Sequence, residues 1–305
     1  MQIEPLRQVQ LLQLDELPVL LVRNRQGEAL IALQGAQVLR YGQPEQPPVI
    51  WLSEQAEFKR GRSVRGGIPV CWPWFGDLQK NPCAVRSQVA EGAEPPAHGL
   101  VRGQDWILES VTEAPELCTL VLRYPAPLGL APHWLGQVDL RLQIEVGHRL
   151  HLSLSTTNQG SHPLPLSQAL HSYFAVGDIH GARIQGLAEV TYLDTLDQWH
   201  CKTHPGELAI TGEVDRIYLN TPREIRIQDP AWGRRLHIEA QNSSSAVVWN
   251  PWIEKSRRLS QLAPDAWQRM LCIESANVMD DIVNLAPGAS HHLELTCWSE
   301  PLGDQ

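Results

Sequence analysis

The sequence predicts a large antiparallel all-β sandwich with few short helices. Three observations carry that reading: apolar residues recur at every second position in most segments, long helical stripes are hard to find, and 23 prolines and 22 glycines are spread along the chain, as many short strands joined by turns require. Near the N-terminus the apolar run Val19, Leu20, Leu21, Val22 precedes a turn at Asn24, Arg25, Gln26 and Gly27, and then Ala29, Leu30, Ile31 and Ala32. Leu140, Leu142, Ile144 and Val146 alternate with Arg141, Gln143 and Glu145. After a turn at Gly147, His148 and Arg149 the pattern resumes as Leu150, Leu152 and Leu154, which is a hairpin with one buried face. The alternation recurs at Ile225 and Ile227, turns through Asp229, Pro230, Ala231, Trp232 and Gly233, continues at Leu236, Ile238 and Ala240, and returns at Leu293, Leu295 and Cys297. Residues 79–96 carry Pro, Gly, Glu and Lys without periodicity and predict a long surface loop, a candidate lid.

Composition bounds the function. The chain has 305 residues, 43% hydrophobic and 19% charged, and is expected to form one sandwich domain over residues 1–305. A net charge of -9 argues against nucleic-acid binding. No apolar run reaches the ~20 residues of a membrane span, and Met1, Gln2, Ile3, Glu4 and Pro5 lack the pattern of a secretory leader. The six cysteines at 71, 83, 118, 201, 272 and 297 form no CxxC pair. Free thiols in a soluble, cytoplasmic protein are therefore expected, with no nucleic-acid or membrane partner and a monomeric state.

Four segments carry candidate chemistry, and each has a plainer reading. In Val64-Arg65-Gly66-Gly67-Ile68-Pro69-Val70-Cys71-Trp72-Pro73-Trp74 the glycines permit close backbone approach to a ligand, Arg65 suits an anionic oxygen, and Trp72 and Trp74 share one strand face where an indole can support a sugar ring. The plainer reading is a turn, a surface arginine and two core tryptophans. In Ala97-His98-Gly99-Leu100-Val101-Arg102, Arg102 is a second anion contact, and His98 is either a ligand contact or a hydrogen-bonded structural residue. In Gln168-Ala169-Leu170-His171-Ser172-Tyr173-Phe174, a strand puts Ala169, His171 and Tyr173 on one face, and His171 is a catalyst or a satisfied core histidine. In Leu271-Cys272-Ile273-Glu274-Ser275-Ala276 a carboxylate sits inside an apolar strand, which is costly unless it is paired or used; otherwise this is an edge strand whose Glu faces water. A histidine and a glutamate brought together across a sheet make an acid/base pair for work near neutral pH. The segment from His200 to His204 has metal-like spacing without a partner cluster, so a solvated loop is expected there. No GxGxxG, P-loop or GxSxG motif occurs.

Taken in order, these four segments resemble the hexose-6-phosphate mutarotase (glucose-6-phosphate 1-epimerase) family, a branch of the aldose 1-epimerase group. The resemblance extends to Val214-Asp215-Arg216-Ile217-Tyr218 and Val248-Trp249-Asn250-Pro251-Trp252 and covers most of the chain. It implies a galactose mutarotase-like β-supersandwich, a cofactor- and metal-free isomerase, and a sugar phosphate as small-molecule partner. It puts His171 and Glu274 in the catalytic positions and Arg65 and Arg102 against substrate or phosphate. By a looser alignment it adds Asp194, and His98 and Trp74 from the segments above complete the expected substrate contacts. Some members carry Gln where this chain has Ala97.

Interconverting anomers requires a base at the C1 hydroxyl and an acid at the ring oxygen. Glu274 as carboxylate and His171 as imidazolium fit those roles at ordinary pKa values of roughly 4.3 and 6.5, which predicts a bell-shaped pH profile with one limb from each group. Arg60, Arg62 and Arg65 cluster within six residues and, with Arg102 and Lys255, favour a phosphate dianion over a neutral hydroxyl. Two alternatives stay open: an aldose 1-epimerase for unphosphorylated sugar, and a non-catalytic carbohydrate-binding module, which needs no buried Glu facing a His.

Overall fold

A computed structural model describes residues 7–92, 94–125 and 134–303. The stretch 1–5, read for a leader, and Ala93 of the 79–96 segment lie outside the described residues. Backbone pairing among them builds two large antiparallel sheets. The nine-stranded sheet contains the predicted hairpins: Val138–Val146 pairs with Leu150–Asn158, Glu224–Asp229 with Arg234–Gln241, and Ser290–Pro301 lies between Arg234–Gln241 and Leu150–Asn158. Its inward leucines, Leu140, Leu142, Leu150, Leu152 and Leu154, are fully buried, each contributing roughly 1.5–3 kcal/mol of transfer free energy. The N-terminal hairpin also forms, Leu17–Arg23 against Glu28–Ala32, inside a four-stranded sheet.

The eight-stranded sheet faces the nine-stranded one. At its centre Met270–Asn277 is flanked by Ser245–Asn250 on one side and by Gln168–Leu170 and Tyr173–Ala175 on the other. Every residue of this central strand is buried, so its alternation separates two interiors rather than core from water. Leu271 and Ile273 join Val248, Leu170 and Phe174 in the core shared with the nine-stranded sheet. Met270 and Cys272 belong to one small cluster on the opposite face and Ala276 to another, and Glu274 points between them.

Segment 79–96 is more ordered than a lid. It enters through a short 3-10 turn, Leu78–Lys80, capped by Asp77, and a helical turn, Cys83–Arg86. Leu78 and Val85 are buried in the core, and the Asn81 side chain bonds to Phe75 O, Asp77 O and the Ser167 hydroxyl. The composition hid these anchors because each is a single side chain. No described helix is long and apolar enough to cross a membrane.

Candidate active site

Register alone assembles one face. Tyr173 pairs with Cys272, Cys272 with Trp249, and Trp249 with Asp215, so these four side chains stand in a row. One step along, Val247 pairs with Glu274. On Glu274's other flank the partner strand breaks between Leu170 and Tyr173, and His171 occupies the break. There the His171 N–H donates to Pro69 O at 3.0 Å, and its ring stacks on Tyr173 at 4.9 Å between centroids and 9° between planes. The result puts His171 Nε2 3.4 Å from Glu274 Oε1. Glu274 is 1% exposed, which removes the edge-strand reading.

Both groups line a cavity of about 570 Å³ with Arg65, Arg102, His98, Asp215, Trp249, Phe75, Trp199, Lys80 and Lys255, within the range of small-molecule sites. Burial pushes Glu274 well above the usual carboxylate range, reinforced by Asp215 and opposed by Arg102. Burial pushes His171 well below the imidazole range, with His98, Arg102 and Arg65 acting in the same direction. Burial therefore favours an uncharged pair, whereas ordinary pKa values predicted an ion pair; desolvation outweighs their mutual attraction. His98 is also held neutral, lowered to about 3 by burial and then by Arg102 and Arg65. Its Nδ1 accepts from the Gly76 N–H at 3.3 Å, so its proton resides on Nε2.

The cations divide into two sets. Arg65 donates to Tyr173 Oη at 3.3 Å and Arg102 to Ala97 O at 2.7 Å; neither has a carboxylate partner among the described residues. Arg60 and Arg62 point elsewhere, into ion pairs with Asp105 at 2.8 Å and Glu57 at 3.1 Å, so the predicted arginine cluster reduces to Arg65. Lys255 is bound to Glu213 at 2.9 Å and lies 3.7 Å from Asp215. Gly66 and Gly67 sit at φ 101° and 69° and close on the protein itself: a Cβ there would lie 2.8 Å from Leu52 Cα and 2.3 Å from Val38 O. They serve the turn that presents Arg65, not direct contact with a ligand. Gln37 and Gln261 fix the same turn, the first donating to Val64 O and Gly66 O and the second accepting from the Arg65 N–H.

Two predicted contacts are corrected. Trp72 and Trp74 do share a face, but it is the core face: Trp74 is 1% exposed in the main core and donates to Pro96 O at 3.0 Å. The indoles at the cavity are Trp249 and Trp199. Asp194 pairs in register with Arg216, while its neighbour Leu193 pairs with Ile217 on the cavity side. Asp194 therefore faces away, bound to Lys202 at 2.8 Å, and the aspartate at the cavity is Asp215. Alternation from Ile217 was the available signal for Asp215; nothing local in the sequence marks Trp199 or Lys80. The His200–Lys202 strand pairs with Tyr192–Asp194, and His204 bonds to Tyr218, so the metal-like spacing there is spent on sheet contacts.

A buried His–Glu pair lies under an aromatic-walled cavity in a two-sheet sandwich, the build of a β-supersandwich with an enclosed small-molecule site. The fold is galactose mutarotase-like: the chain superposes on a galactose mutarotase-like protein from Clostridium acetobutylicum with a TM-score of 0.71 at 15% identity, over 96% of this chain and 98% of that one. A model of the aldose 1-epimerase family matches residues 18–298, and the chain belongs to that family. A Salmonella typhimurium structure described as a "putative mutarotase (YeaD)" gives a TM-score of 0.87 at 26% identity, covering 98% and 96% of the two chains. An Escherichia coli K12 protein named "Putative glucose-6-phosphate 1-epimerase" is 31% identical over 264 residues, 86% of this chain and 84% of that protein.

Proposed function

We propose that the protein interconverts the α and β anomers of an aldohexose 6-phosphate, without a cofactor, by general acid/base ring opening and reclosure. The observation that carries the reading is the 3.4 Å separation of His171 Nε2 and Glu274 Oε1 inside a cavity also lined by Arg65 and Arg102. The name of the Escherichia coli relative supports the same substrate. A binding-only module has no use for that buried pair.

The buried pair holds one proton. Burial raises Glu274 and lowers His171, so without a bound anion the proton rests on Glu274. A bound phosphate dianion stabilises an imidazolium and destabilises a carboxylate, so on binding the proton passes to His171. Glu274 then removes the C1 hydroxyl proton while His171 protonates the ring oxygen as the C1–O5 bond breaks. The open aldehyde turns about C1–C2, and the steps run backwards on the other face of C1. His98, neutral with Nε2–H, donates a hydrogen bond to a sugar oxygen without titrating. Trp249 and Phe75 cover apolar ring faces, and Arg65 and Arg102 hold the phosphate.

Anomer-exchange NMR on glucose 6-phosphate and on glucose tests the assignment. Replacing Arg65 and Arg102 by Met should raise KM for the phosphate sugar by tenfold or more, since a charge-assisted contact contributes roughly 1.5–3 kcal/mol, and should barely change it for glucose. Equal effects on both sugars would favour the unphosphorylated aldose.

A further inference from the structure

We infer that His171, Cys272 and Glu274 also form a binding site for a borderline-soft divalent transition-metal ion, zinc being the type case, and that its binding stops anomer exchange. This inference concerns regulation of the proposed reaction and rests on that reading for its consequence, though not for the site itself.

Cys272 lies two residues before Glu274 on the same face, between its register partners Tyr173 and Trp249. One donor atom from each of the three side chains lies within 4.8 Å of the others. Tetrahedral zinc with bonds of roughly 2.0–2.3 Å to N, O and S sets neighbouring donors about 3.3–3.8 Å apart. The His171–Glu274 separation of 3.4 Å already meets that spacing, and only the thiol must move inward. Glu274 Oε2 is buried without a hydrogen-bond partner among the described residues, so the carboxylate has unspent ligand capacity. The proposed chemistry gives Cys272 no role, yet it supplies the one soft donor of the three.

Charge selects the ion. Arg65 and Arg102 repel a cation from the cavity, so a hard ion such as magnesium, bound through water and one carboxylate, gains little. An ion that takes the thiolate and the carboxylate is neutralised by its own ligands. On binding, the Cys272 thiol and the Glu274 carboxylic acid release their two protons to solvent. The metal then occupies the lone pairs that the acid/base pair needs, and exchange ceases.

Cobalt(II) is the direct probe, because a thiolate–cobalt bond gives a charge-transfer band in the near ultraviolet. The wild-type protein should develop this band, and Cys272→Ala should lose it while keeping its anomerisation. Zinc chloride should inhibit the wild type reversibly, with chelator restoring the rate, and magnesium should not. The Cys272→Ala inhibition constant should rise by roughly tenfold or more, as loss of a ligand implies. Absence of the band, a band that survives in Cys272→Ala, or equal inhibition of both proteins would overturn the site. The band needs no turnover, so a protein that binds cobalt through Cys272 but does not exchange anomers keeps the site and removes the proposed activity.

Discussion

At His171 and Glu274 the deciding quantity is the cost of burying charge. Two ordinary side chains titrate near 4.3 and 6.5 (about 2 units apart), and a profile set by them would peak between those values. Burial raises Glu274 and lowers His171, so neither limb stays where an exposed side chain would put it. The working state carries one proton on the pair. It is lost to acid when His171 gains a second proton, below the usual imidazole range, and to alkali when the last proton leaves Glu274, above the usual carboxylate range. The pH profile of kcat/KM should therefore depart from the bell that exposed side chains would set; a narrow bell peaking between roughly 4.3 and 6.5 would show the pair titrating as if exposed. Glu274→Gln and His171→Asn should each lower kcat by ~10²–10⁴, with circular dichroism unchanged. A wild-type rate in either variant would remove that residue from the chemistry.

At the scale of the strand, one-residue steps decide function. Asp215 and Asp194 are both aspartates on neighbouring strands of one sheet, yet register turns Asp215 toward the cavity and Asp194 toward Lys202. Asp215→Asn removes a contact next to Lys255 and Glu274 and should lower kcat/KM by roughly tenfold, the size of one lost charged hydrogen bond. Asp194→Asn disturbs only a partly exposed ion pair, which typically contributes ~0–1 kcal/mol of stability, and should leave kinetics alone. The reverse ranking, measured by anomer-exchange NMR, would place the sugar on the other face of the sheet. Trp74 and Trp249 differ in the same way: Trp74, expected as a platform, packs in the core on the side opposite Cys71, and Trp249 faces the cavity.

Over the whole molecule, packing sets the cavity's chemistry and also taxes its stability. His98 is held at φ 63°, a left-handed geometry that Asn tolerates better than most residues, and its imidazole is kept neutral with a pKa lowered to about 3. The unfolded chain binds a proton there below its ordinary 6.5 and the folded protein does not, so stability should fall as pH drops from that value toward 3, by at most about 1.4 kcal/mol per pH unit. His98→Asn should flatten that slope in urea unfolding between pH 7 and 5; an unchanged slope would locate the acid sensitivity elsewhere. The strands, the main hairpins and the four segments that carry His171, Glu274, Arg65 and Arg102 are legible along the chain, because alternation and side-chain chemistry are local properties. Packing in space settles which face each strand turns to the cavity, so that Asp215 and Trp249 line it and Asp194 and Trp74 do not, and it makes burial override the attraction of two opposite charges. Those outcomes depend on what lies across the sheet, and neighbours in space are not neighbours in sequence.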